Sequence, residues 1–222
     1  MTTFTLEELR DEVRRLGDFE RSAVIRHQFI NENLNRGLRE YVYAVIDAYE
    51  GYYDDTDTPL TAANQQTVDL PEDFYRLRAL DRDLGNNVFN PLRRIQLNET
   101  YRYENTGVPV AYSLHGSVTQ TLPGRVRLWP VPDRPYNLPI TYVPAAPVLE
   151  ADGDDCDLLP SGDEVVIYAA LVRLAEREER DPSEFQGQLE RALARLRGNA
   201  ARRDSYEPEY LSPRRPYYTE DD

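Results

Sequence analysis

Two histidines, His27 and His115, and one cysteine, Cys156, are the whole imidazole and thiol stock of this 222-residue chain. Neither histidine falls in a pattern that supports catalysis. His27 lies on a stretch with helical periodicity and His115 at the end of an alternating strand. There is no H-E-x-x-H pair, no serine on a strand-to-helix elbow and no glycine-rich phosphate loop. Cys156 sits in "DGDDCDLLP", among carboxylates that raise a thiol pKa rather than activate it. A single cysteine also excludes an intrachain disulfide.

Carboxylates form two clusters, Asp54, Asp55 and Asp57, and Asp152, Asp154, Asp155 and Asp157. Alternating loop carboxylates are calcium-ligand chemistry, but neither cluster has the glycine and distal glutamate of an EF-hand loop. In so acidic a chain they read as solvated loops. The expectation is no catalytic residue, no cofactor and no metal. A metal-dependent hydrolase using an acidic cluster stands as the enzymatic alternative.

The residues best suited to recognition lie at the C-terminus. Tyr206, Tyr210, Leu211, Tyr217 and Tyr218 are spaced by Pro208, Pro213 and Pro216, with Arg214 and Arg215 between. Tyrosine and arginine anchor interfaces, and prolines lower the ordering cost of an extended segment. This tail is expected to dock on a partner. The plain alternative is a disordered terminus.

Charge narrows the partners. All 26 basic residues are arginine, against 40 carboxylates, giving a net charge of −14. Static nucleic-acid binding is disfavoured, because phosphate contacts need a basic surface. Acidity with arginine in place of lysine fits a protein that stays dispersed in high salt, where self-repulsion is screened. A GC-rich coding sequence favours arginine as well. The N-terminus, "MTTFTLEELRDEV", has no basic segment followed by an apolar one, and no apolar run approaches the roughly 20 residues a membrane span needs.

The elements that must position these residues fall into three blocks. Thr5-Leu6-Glu7-Glu8 is a capping box opening a short helix that Gly17 ends, and Asp18 suits the N-cap of a longer one. Its stripe includes Ile30, Leu34, Leu38, Tyr41 and Val45. After Gly51 the polar stretch 51–67 reads as loop. Strands are expected over Tyr75–Leu80, Val110–Leu114, 125–133 and 138–144, with one or two helical turns in 91–104. In "ENTGVPVAYSLHG", alternation puts Val108, Val110, Tyr112 and Leu114 on one side and Ala111, Ser113 and His115 on the other; Tyr112 and His115 suit an interface or packing. Helix returns at a second capping box, Ser161-Gly162-Asp163-Glu164, and again at Asp181-Pro182-Ser183-Glu184, whose stripe is Phe185, Leu189, Leu193 and Leu196.

The order of "FINENLNRGLREY", "LPEDFYRLRAL", "TGVPVAYSLHG", "RLWPVPD", "LPITYVPAAPVL" and "LLPSGDEVVIYAALVRLAERE" resembles the head-to-tail connector, or adaptor, proteins of tailed viruses of bacteria and archaea. The expected fold is α+β: a bundle of N- and C-terminal helices, an inserted small antiparallel β domain and an extended C-terminal tail. The expected limits are 1–66 for the N-terminal helices and loop, 67–148 for the β domain, 149–201 for the C-terminal helices and 202–222 for the tail. The resemblance implies a structural virion protein, not an enzyme. It implies a ring of about twelve identical subunits beneath the portal protein, joining the filled head to a stopper or tail protein and leaving a channel through which genome DNA passes without specific binding. Location in the virion neck after synthesis in the host cytoplasm, and a salt-loving host, complete the expectation. A stopper or tail-terminator ring is the structural alternative.

Overall fold

A computed structural model describes residues 2–19, 25–49, 51–86, 88–103, 105–115 and 124–203. In chain order these form β1 (Thr2–Thr5), α1 (Leu6–Leu16), α2 (His27–Ala48), β2 (Asp55–Asp57), β3 (Thr67–Asp69), β4 (Phe74–Asp83), β5 (Phe89–Pro91) and β6 (Arg93–Arg94). A 3-10 helix (Leu97–Arg102) follows, then β7 (Thr106–Gly107), β8 (Ala111–His115), β9 (Arg125–Trp129), β10 (Val131–Pro132), β11 (Ile140–Pro144), β12 (Asp155–Leu158), α3 (Gly162–Arg177) and α4 (Ser183–Arg203). The class is α+β. The described residues divide into two compact units, one within Met1–Glu50 and Val148–Asp222, the other within Gly51–Pro147.

In the helical unit the first capping box forms in full. The Glu8 N–H donates to Thr5 Oγ1 at 3.2 Å and the Thr5 N–H to Glu8 Oε2 at 2.9 Å. Helix α1 buries Leu6, Leu9 and Val13. Asp18 is not an N-cap. It takes the left-handed conformation (φ 54°), and the next N–H, of Phe19, donates to the Arg14 carbonyl at 2.9 Å. That is a Schellman closure of α1, a conformation Asp tolerates better than most residues. Helix α2 therefore starts only at His27.

The stripe of α2 is buried as its spacing predicts, with Ile30, Leu34, Leu38, Tyr41 and Val45 all at 1% exposure or less. It packs chiefly on α3, and α3 packs in turn on α4. Gly37 makes the first approach close: a Cβ there would lie 2.6 Å from the Val166 carbonyl oxygen. The second capping box does not form. Ser161 stands at the N-cap with φ 70°, and its side chain makes no capping bond. The turn is drawn tight around Tyr41 instead: the Leu159 N–H donates to the Tyr41 hydroxyl at 2.7 Å, and a Cβ on Gly162 would meet the same ring at 2.6 Å. At α4, Asp181 does accept the Ser183 N–H at 3.0 Å. Its inward face is Ala192, Leu196 and Ala200, which leaves Phe185, Leu189 and Leu193 half-buried. Strand β12 pairs antiparallel with β1, in an acidic run expected to be loop, because Cys156 and Leu158 alternate inward against its carboxylates.

The β unit holds two four-stranded sheets, β2-β11-β4-β5 and β3-β9-β8-β6. Between them lies a core that includes Val68, Leu80, Val126, Leu128, Leu138 and Ile140. Most pairs are antiparallel, but β6 runs parallel to β8 and β7 parallel to β10, which departs from the all-antiparallel expectation. Strand β2 lies inside the stretch expected to be loop. Its three residues are all exposed, so it shows no alternation to read. In β9, Val126 and Leu128 point inward, and Trp129 on the opposite side is buried as well. In β8 the expected apolar face is only partly right: Tyr112 is buried, but Val110 and Leu114 are exposed, and Ala111 and Ser113 are buried. Ile95 and Trp129 pack on Ala111, with Tyr103 against them, covering the side that alternation marks as polar.

Candidate functional site

Two of the three residues with catalytic chemistry, His115 and Cys156, are held in contacts of the fold. His115 Nε2 lies 2.9 Å from Ser113 Oγ, a spacing that suits a base and its nucleophile. That serine is only 5% exposed and its oxygen accepts the Trp129 indole N–H at 3.2 Å, so the contact satisfies a buried hydroxyl. His27 is exposed at the first turn of α2. Burial, reinforced by Asp155 and Asp157, pushes the Cys156 thiol up to about 11, the opposite of an activated nucleophile. Its Sγ faces the Phe4 carbonyl oxygen at 3.7 Å.

The acidic clusters are occupied by donors of the chain itself. Asp54 pairs with Arg78 at 3.2 Å, while Asp55 and Asp57 accept the N–H of Thr56 and Thr58. Asp152 accepts from Arg10 at 2.8 Å, and that bond holds its carboxyl below the usual range. Asp154 is lowered likewise by the N–H groups of Glu150 and Ala151, and Asp157 accepts the Thr3 hydroxyl. Among the described residues no three His, Cys, Asp or Glu side chains converge as a metal site, and no helix is long and apolar enough to cross a membrane. The tail residues singled out for docking, Tyr206, Tyr210, Leu211, Arg214, Arg215, Tyr217 and Tyr218, lie outside the described residues.

The surface best built for contact is one that sequence reasoning missed. Strand β4 ends in a tight hairpin, where Asp83 Oδ1 accepts the Gly85 N–H at 2.6 Å and the Leu84 N–H donates to the Val88 carbonyl at 2.9 Å. The hairpin leaves Leu84, Val88 and Phe89 each more than half exposed. Two loops come alongside. Leu60 bridges to Asn137, whose carbonyl takes the Asp83 N–H at 3.1 Å. The Val108 loop is fixed by Arg82 Nη1, which donates to the Pro109 carbonyl at 2.8 Å. Leu60, Leu84 and Val108 thus rim a hollow of about 560 Å³, with Arg82 and Arg134 in its lining. Exposed apolar groups gathered this way mark contact surfaces more often than scattered ones do. The only trace in the sequence is "LGNNVFN", large apolar residues either side of a polar turn.

The lining of the hollow holds two arginines against one carboxylate, Asp83. Arg82 is 8% exposed, and among the described residues its Nε has no hydrogen-bond partner. Arg134 lies over the Tyr136 ring, 5.3 Å from its centroid, and is itself exposed. The helical unit has a groove of opposite character, about 700 Å³ between α1, α3 and α4. Glu8, Glu12, Asp163 and Glu164 line it, with Arg15 and Arg195 paired to Glu12 and Glu164.

Comparison with known proteins adds two findings. A family model described as SU10 adaptor protein matches residues 4–216, running past α4 through Tyr206, Tyr210 and Leu211 to Pro216. No curated protein matches the chain.

Proposed function

Since the chain belongs to the SU10 adaptor family, structural head-tail adaptors of phage virions, we propose that it acts as a ring of identical subunits beneath the portal, joining the filled head to the stopper or tail around a channel for the genome. The observation that carries this reading is the extent of the family match, residues 4–216, which takes in both compact units. Two physical features support it. The apolar hairpin of the β unit offers a face that a neighbouring molecule can cover. The charge of −14 per copy, repeated round a ring, makes a surface that repels phosphates and lets DNA slide rather than bind.

Closed rings arise from heterologous contacts between two different patches of one subunit. The tail from residue 202, with Tyr206, Tyr210, Leu211, Arg214, Arg215, Tyr217 and Tyr218, is the second patch in this reading. Acidity without lysine points to a salt-loving host, in whose cytoplasm the subunits are made before they join the virion neck. A symmetric reconstruction of the virion tests the assignment. The expected result is a ring of this chain between portal and tail; density for it in the capsid shell or at the tail tip overturns the proposal.

A further inference from the structure

We propose that the hollow beside Leu84 is the receptor for the tail of a neighbouring copy, and that it takes the segment Tyr206–Leu211. This rests on the ring reading for the presence of a neighbour. The chemistry of the hollow specifies the ligand. Its rim of Leu60, Leu84 and Val108 asks for large apolar side chains. Its two guanidinium groups, Arg82 and Arg134, outnumber the one carboxylate of the lining, Asp83, whose Oδ1 already accepts the Gly85 N–H, so acidic side chains are favoured there.

Residues 206–211 of this chain read Tyr-Glu-Pro-Glu-Tyr-Leu, three large apolar or aromatic groups alternating with two carboxylates around a proline. The proline fixes one backbone dihedral in advance and so reduces the ordering cost of docking. The segment starts three residues after Arg203, the end of α4, and extended chain places Leu211 at most about 28 Å from that end. The groove of the helical unit is a poorer receptor. Glu8, Glu12, Asp163 and Glu164 along it repel Glu207 and Glu209.

The test uses a labelled peptide of residues 204–222 and full-length chain whose own tail is disabled by Tyr206→Ser, Tyr210→Ser and Leu211→Ser. Fluorescence anisotropy on dilute protein is expected to show saturable binding. That binding should weaken at least tenfold on adding Leu84→Glu to the protein or Glu207→Arg and Glu209→Arg to the peptide, and stay unchanged on adding Glu12→Arg in the helical groove. Leu84 is 53% exposed, so the Leu84→Glu chain should keep its melting temperature. No saturable binding, or binding indifferent to Leu84→Glu, overturns the proposal. A mixture then assigns the donor. Leu84→Glu chain with an intact tail, added to tail-disabled chain, should give heterodimers on sedimentation that neither gives alone; heterodimers absent at concentrations where the peptide binds overturn docking between copies. Peptide binding is read on single copies. Its failure therefore leaves the ring reading standing, and a virion map without a ring leaves the docking result standing.

Discussion

The side-chain amide of Asn35 clasps the backbone of Leu149 from both sides: Asn35 Nδ2 donates to the Leu149 carbonyl at 2.9 Å, and the Leu149 N–H donates to Asn35 Oδ1 at 2.8 Å. The contact explains an asparagine in mid-helix, where its propensity is poor. It ties α2 to the point where the chain re-enters the helical unit. Replacing Asn35 by leucine strands both backbone groups at a part-buried site, at a cost of about 2 kcal/mol. Asn35→Asp keeps the acceptor and should lose less. Urea unfolding measures both, and an unmoved midpoint for the leucine variant would refute the clasp's role.

Two glycines should respond oppositely to the same substitution. Gly37→Ala forces a methyl to within 2.6 Å of the Val166 carbonyl oxygen, so α2 and α3 must separate, costing about 1–3 kcal/mol. Gly198, exposed on α4, has nothing within 4 Å of an added Cβ, and Gly198→Ala should stabilise by up to about 1 kcal/mol through helix propensity. The two midpoints, compared under one set of conditions, decide the matter.

Cys156 sets a limit at alkaline pH. The folded thiol holds its proton up to about 11, whereas the unfolded one ionises near the ordinary value of 9.0. Between those values the folded state binds more protons than the unfolded, so this contribution is intact below pH 9 and is lost as pH rises to 11. A Cys156→Ala chain should show a shallower fall of stability over that window. Thiol titration of the native chain at pH 8 should run much slower than after unfolding.

Salt should stabilise this chain. With a net charge of −14 on 222 residues, screening relieves self-repulsion more than it weakens the exposed arginine–carboxylate pairs, each of which contributes little. Melting temperature is expected to rise by several degrees between about 0.1 M and multimolar potassium chloride. A flat or falling curve removes the salt-loving host from the proposal.

Ending the chain after Arg203, the last residue of α4, should leave its melting temperature unchanged and its ability to join heads to tails impaired. Head joining in vitro at undiminished efficiency would show that Tyr206, Tyr210, Leu211 and their neighbours do not dock.

What could be read from the sequence was whatever repeated at the right period. The stripe from Ile30 to Val45, the capping box at Thr5 and Glu8 and the inward pair Val126 and Leu128 each depend on near neighbours in the chain. What escaped depends on distant ones. Strand β2 is an all-polar edge held by β11, more than 80 residues later. Strand β12 hides in an aspartate run and is defined by pairing with β1. The phase of β8 is changed by Ile95 and Trp129 packing on its far side. The hollow beside Leu84 is assembled from four stretches, at residues 60, 82–85, 108 and 134–137, that no window of sequence contains, so its two arginines and its rim could not be seen together.

The pairing of Thr2–Thr5 with Asp155–Leu158 also dictates an order of maturation on the ribosome. Residues 2–5 have no strand partner until about 150 more have been added, which at roughly 5–20 residues per second takes on the order of ten seconds. Residues 51–147 are contiguous, and all their partners emerge together. The β unit can therefore finish first, while α1, with Leu6, Leu9 and Val13, has only α2 to pack on until α3 emerges. Nascent chains should accordingly be most vulnerable to chaperone capture and proteolysis at their N-terminal end until α3 has emerged.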